Sequence, residues 1–178
     1  MPCGACALAP PPFARTLTLG DYAPPLDRVI ARLKFGAQPA LGSWLGAELA
    51  QRWAAARFPL PDGVVAVPLS AGGLRARGYN QAWEIARGFA AALRLNADAT
   101  VLRRRRDTAP QASLPRAQRA GNVRGAFVAS AVARRMRLLL VDDVMTSGCT
   151  LQAAADALLR AGAAEVAVAV ALRTPAPD

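Results

Sequence analysis

The chain has 178 residues, 53 % of them hydrophobic, with 22 Lys+Arg against 12 Asp+Glu and no histidine. That length supports one domain with a substantial core, and the net charge of +10 suits polyanionic ligands, whether nucleic acid or phosphorylated sugars. A histidine base or nucleophile is excluded, no apolar run reaches the length of a membrane span, and the amino terminus lacks the basic-then-apolar order of a secretory signal, so the expected compartment is the cytoplasm.

Cys3 and Cys6 form a C-x-x-C followed by Pro10-Pro11-Pro12, and Cys149 is the one other cysteine. A zinc site takes four ligands, so residues 1–20 read as the remnant of a zinc finger with its linker, ahead of a domain over 21–178. Two chains sharing one metal through Cys3 and Cys6 are the alternative. Leu26, Val29, Ile30 and Leu33 recur at helical spacing, and Leu41, Trp44, Leu45, Leu49 and Trp53 predict a second helix over 41–57 with its aromatics in the core. Lys34 reads equally well as a phosphate contact or as a surface charge.

Val64 to Leu69 predicts a buried strand. It leads into Leu69-Ser70, then Gly72-Gly73 and the run Arg75-Ala76-Arg77-Gly78-Tyr79-Asn80-Gln81. A glycine-bearing turn with two arginines after a parallel strand makes a candidate pyrophosphate clamp, because guanidinium forks match phosphate oxygens in pairs. Asn80 is placed to cap a helix whose apolar face is Ala82, Ile85, Ala86, Phe89 and Leu93. The basic stretch from Thr100 to Gly125 carries Arg103 to Arg106, Gln111, Arg116, Arg119, Asn122 and Arg124 with almost no apolar period. It predicts a long surface loop or hairpin, the kind of element that closes over ligands, with Ala126 to Ala129 as a short strand after it. Val166 to Leu172 is apolar almost throughout and predicts a last strand buried on both faces.

The most informative stretch is Arg137 to Leu151, R-L-L-L-V-D-D-V-M-T-S-G-C-T-L. Leu138 to Val141 predicts a buried strand ending at the adjacent carboxylates Asp142 and Asp143. Val144 and Met145 lead into the hydroxyl-rich turn Thr146-Ser147-Gly148. Cys149 and Thr150 then open a helix through Leu151, Ala154, Ala155 and Leu158, with Gly162 placed to end it. A helix amino terminus offers free N–H groups and partial positive charge, which bind phosphate. A carboxylate just before such a loop suits a vicinal diol, whose two O–H groups it can accept. Phosphate and diol side by side describe a ribose 5-phosphate. A Walker A loop is absent. Strands alternating with helices imply a parallel sheet with right-handed crossovers, and both candidate anion sites, Ser70 to Arg77 and Asp142 to Thr150, fall at the carboxyl ends of strands, where ligands bind in such sheets.

V-D-D-V-M-T-S-G-C-T resembles the phosphoribosyl-diphosphate (PRPP) signature of type I phosphoribosyltransferases. From about Tyr22 onward the chain resembles the ComF family of competence-associated proteins. The matching stretches are L-K-F at Leu33 to Phe35, V-P-L-S with R-A-R-G-Y-N-Q at Val67 to Gln81, R-R-D-T-A-P-Q at Arg105 to Gln111, R-A-G-N-V-R-G-A-F at Arg119 to Phe127, and the signature itself. The resemblance implies an α/β, type I phosphoribosyltransferase-like fold, a parallel sheet flanked by helices with a small hood. It implies PRPP with Mg²⁺, the metal held through Asp142 and Asp143. It also implies that these two acids meet the ribose hydroxyls, that Val144 to Thr150 enclose the 5-phosphate, and that Leu69, Ser70, Arg75 and Arg77 meet the pyrophosphate, with a cis Leu69–Ser70 bond as in many such loops. Arg103, Arg105, Gln111, Arg119 and Asn122 would belong to a mobile loop, and Cys149 would fill space. Zn²⁺ through Cys3 and Cys6 would be half of the family's four-cysteine finger. The implied activity is transfer of phosphoribose from PRPP to a nitrogen acceptor with release of pyrophosphate, linked to competence, DNA uptake or nucleotide metabolism. The alternative is a non-enzymatic DNA-uptake or DNA-processing factor that binds DNA or senses PRPP. Single-stranded DNA or a competence-machinery component is then the implied macromolecular partner, and a homodimer remains open.

Overall fold

A computed structural model of the chain describes residues 10–106 and 121–175. Its core is a four-stranded parallel sheet in the order β1-β6-β5-β2, built from β1 (Thr16–Asp21), β2 (Gly63–Ala66), β5 (Arg137–Met145) and β6 (Glu165–Arg173). β5 lies inside, pairing Val64 to Leu139 on one side and Val141 to Ala169 on the other. A single parallel bridge from Val64 to Ala97 extends the sheet beyond β2. A separate antiparallel pair, β3 (Leu102–Arg104) and β4 (Phe127–Ala129), forms the base of the basic stretch, as the hairpin reading predicted.

Because successive strand residues point to opposite faces, β5 feeds two cores. Leu139 and Val141 join Trp53, Phe89, Leu49 and Ile85 under helices α1 (Leu26–Phe35), α2 (Ala40–Ala55) and α4 (Gln81–Leu93). Leu138 and Leu140 join Phe127, Leu151 and Leu158 beneath α5 (Cys149–Arg160) and the hairpin. A strand covered on both faces must be apolar along its length, which is why Leu138 to Val141 is legible as a strand. The strand continues beyond that run, however. The parallel ladder to β6 holds Asp142 opposite Val170 and Val144 opposite Leu172, so the acids are part of β5 rather than a step after it.

Several expectations change. β1 went unpredicted, and it pairs along β6 from Thr16↔Val168 to Asp21↔Arg173, so the sheet begins inside the segment assigned to the linker. The predicted glycine-bearing turn at 72–78 is a short helix, α3 (Ala71–Arg77). Ser70 caps it by accepting from the Gly73 N–H at 3.0 Å, and Gly78 ends it in the left-handed region. The Leu69–Ser70 bond is trans; Pro24–Pro25 is the one cis bond among the described residues. Trp53 is core, as expected, but Trp44 is 49 % exposed and lines an apolar cavity of ≈ 200 Å³ with Leu19, Leu26, Val29 and Leu172.

Trp44 is turned outward because α2 turns its glycines toward α4. A Cβ at Gly46 would lie 2.1 Å from the Ile85 carbonyl oxygen and 2.6 Å from the Phe89 nitrogen, and one at Gly88 would lie 2.2 Å from the Ser43 carbonyl oxygen. The two backbones therefore touch, and a methyl group has no flexible neighbour to displace. Gly46→Ala is expected to lower stability by at least about 2 kcal/mol in urea unfolding. Gly72→Ala, with nothing within 4 Å of its Cβ, is expected to be neutral or stabilising. Equal effects at the two positions would contradict this packing.

Candidate functional site

The sheet delivers two segments to its carboxyl end. After β2, the Val67 N–H donates to the Val141 carbonyl at 2.9 Å, so the chain leaves the sheet beside β5. Asn80 then fixes the far end of that excursion, donating from Nδ2 to the Val67 carbonyl at 3.0 Å and accepting from the Ala82 N–H at 3.1 Å. One side chain thus caps α4, as predicted, and ties α4 back to β2.

The second segment follows β5. Asp142, Val144, Met145, Thr146, Ser147, Gly148, Cys149 and Thr150 line one open cleft. Gly148 takes φ +75°, a region that costs other residues on the order of 1 kcal/mol. It turns the chain so that α5 starts immediately, and no side chain caps that start. A helix start of this kind suits an anion, which the N–H groups of the first turn can meet. Cys149 is half-buried, packs on the α5-side core, and lies 3.3 Å from Ser147 Oγ, which fits the space-filling role.

The two acids part company. Asp142 faces the cleft, whereas Asp143 is 5 % exposed and turned toward α1. There Lys34 Nζ stands 3.1 Å from Asp143 Oδ2. Asp143 Oδ1 accepts from the Val144 N–H at 2.6 Å, and Asp142 Oδ1 accepts from the Asp143 N–H at 2.9 Å. Burial pushes the Asp142 carboxyl up to about 8, helped by the negative charge of Asp143, against the opposing pull of the Asp143 N–H and of Lys34. Lys34 is therefore not a free surface charge in this structure. It is the counter-charge of a buried acid.

The two arginines of the expected pyrophosphate clamp both lie on α3. Two residues apart on α3, they project to different sides. Arg75 is exposed, while the Arg77 guanidinium lies 5.7 Å from the centre of the Phe35 ring. Leu69 and Ser70 are half-buried at the entrance to α3. Of the expected mobile loop, Arg103 and Arg105 are exposed on and just after β3, and Asn122 is half-buried before β4. Gln111 and Arg119 lie outside the described residues, as do Cys3 and Cys6. Among the described residues no three His, Cys, Asp or Glu side chains converge as a metal site, and no helix is long and apolar enough to cross a membrane.

A phosphoribosyl transferase domain model matches residues 73–177. The chain is 36 % identical over 178 residues to the DNA utilization protein YhgH of Escherichia coli K12, spanning 98 % of this chain and 78 % of that one. It is 30 % identical to competence protein F of Haemophilus influenzae, spanning 93 % and 76 %. Among solved structures it is similar to the glutamine phosphoribosylpyrophosphate (PRPP) amidotransferase from B. subtilis complexed with ADP and GMP, with a TM-score of 0.51 and 28 % identity over 72 % of this chain and 25 % of that one.

An aspartate whose pKa is raised on folding takes up a proton as the chain folds, so its contribution to stability is greatest below the unfolded value and is lost as pH rises toward the folded one. For Asp142 that window runs from 3.8 to about 8. Asp142→Asn is therefore expected to raise the melting temperature above about pH 8, the gain shrinking toward about pH 4. A pH-independent effect would contradict the raised pKa.

Proposed function

The chain belongs to the phosphoribosyl transferase domain family, in the ComF branch that includes the DNA utilization and competence proteins, and from that membership we propose that it binds PRPP and transfers its phosphoribosyl group to a nitrogen nucleophile. The carrying observation is the cleft in which Asp142 stands over the uncapped start of α5. The 5-phosphate sits on the N–H groups of Thr146 to Thr150, and the ribose hydroxyls donate to Asp142. The diphosphate extends toward Ser70, Arg75 and Arg77. In the reaction the bond from the anomeric carbon to the diphosphate oxygen breaks, its electron pair leaving with pyrophosphate. A bond to the acceptor nitrogen forms, and that nitrogen gives its proton to solvent or pyrophosphate.

Negative charge grows on the leaving group, and positive charge in the α3 turn opposes it where it develops. Bound Mg²⁺ supplies further neutralisation of the diphosphate. One carboxylate together with ligand oxygens and water is the donor set this ion commonly takes, and Asp142 would fit it once ionised; a cage made of protein alone does not form among the described residues. Water competes with the acceptor, so its exclusion from the site favours transfer over hydrolysis.

A second reading rests on the hairpin. Arg103, Arg105, Arg106 and Arg124 are all exposed around β3 and β4, and the relatives are named for DNA utilization and competence. Contact with a DNA backbone through these residues is compatible with PRPP binding elsewhere on the chain.

Titration calorimetry with PRPP and Mg²⁺ is expected to show saturable binding that Asp142→Asn weakens by about tenfold or more, and pyrophosphate release against a panel of bases and amines identifies the acceptor. No heat at millimolar PRPP would contradict the site. For the second reading, single-stranded DNA affinity should fall linearly with the logarithm of salt, and replacing Arg103, Arg105 and Arg106 should make that slope shallower by about 0.7 for each phosphate no longer neutralised. Absence of binding at low salt would remove it.

A further inference from the structure

Of the 22 basic residues, 21 are arginine and one, Lys34, is lysine. That single lysine is the residue paired with Asp143. A chain that uses arginine at every other cationic position has kept the other cation where it meets the site. The geometry supplies the reason. Asp143 Oδ1 is occupied by the Val144 N–H, so only Oδ2 is presented, and it meets the Lys34 ammonium at 3.1 Å as an ion pair with no well-directed hydrogen bond from any described group. A guanidinium is a planar fork that matches both oxygens of a carboxylate, whereas an ammonium is a compact charge that can meet one. The flanking residues fasten the same turn of α1 to the other half of the site. The Leu33 carbonyl accepts from the Tyr79 hydroxyl, and the Phe35 ring lies under Arg77. L-K-F is thus the junction between the acids and the α3 turn.

We infer that Lys34 is a positioning residue for the hydroxyl side of the sugar site, acting through Asp143; this rests on the PRPP reading above. Lys34 neutralises Asp143 and holds it against the corner of β5. The Asp143 N–H in turn holds Asp142 Oδ1 where Asp142 lines the cleft. Without Lys34, a nearly buried carboxylate stands uncompensated, and the Asp143 N–H that holds Asp142 Oδ1 is no longer fixed in place.

The test compares ribose 5-phosphate, 2-deoxyribose 5-phosphate and inorganic phosphate by titration calorimetry on the unaltered chain, Lys34→Met and Lys34→Gln. The unaltered chain is expected to prefer the ribo form by about tenfold. In both variants that preference should fall toward one, with inorganic phosphate affinity unchanged within about twofold. Lys34→Gln keeps a donor for the Asp143 oxygen and carries the test should Lys34→Met not fold. A preference that survives in the variants, or an equal loss for all three ligands, overturns the role of Lys34 alone. An unaltered chain that does not distinguish the two sugars overturns the site reading and this inference together.

Discussion

The whole arrangement depends on β5 being held on both edges. Parallel pairing with β2 on one side and β6 on the other fixes where the strand ends, and therefore where its acids and the start of α5 stand. An edge strand would leave that end free to fray. Here Val67 to Val141 on one side and Met145 to Thr174 on the other carry backbone hydrogen bonds past the last apolar residues. The turn at Gly148 is thus mounted on a strand paired on both edges, and loop chemistry is placed by a rigid scaffold.

The same constraint explains the unequal acids. Carboxylates adjacent in a strand cannot both face one cleft. One is therefore turned to the cleft, the other into the packing beneath α1, where burial would be costly without an opposite charge. Lys34 supplies that charge from an element more than a hundred residues earlier in the chain. Tyr79 and the Phe35–Arg77 stack anchor the same turn, so the two halves of the site share one support.

Much of this was legible in the sequence because the signals were local. Leu138 to Val141, the Gly148 turn and the Asn80 cap each declare themselves within a few residues, through branched apolar runs, a residue suited to positive φ, and a short side chain that accepts from the next turn. What escaped is also physical. β1 reads T-L-T-L-G-D, an alternation as short as it is half-buried, and only pairing with β6 makes it a strand. α3 hides behind Gly72-Gly73, which local propensity reads as a turn until Ser70 caps it. Trp44 faces outward because α2 gives its glycines to α4, a preference set by the partner helix rather than by period. The Lys34–Asp143 pair is a tertiary contact with no local signature, although a lone lysine among 21 arginines was a mark open to reading.

The central claim is that the turn from Thr146 to Thr150 and the carboxyl end of β5 grip a phosphorylated ribose. Amide hydrogen exchange of the intact chain, with and without PRPP and Mg²⁺, tests it most directly. The account predicts slowed exchange confined to residues 144–152 and to the Ser70–Asn80 excursion, the two segments that the sheet brings to one end. Protection elsewhere with none in these segments would contradict it.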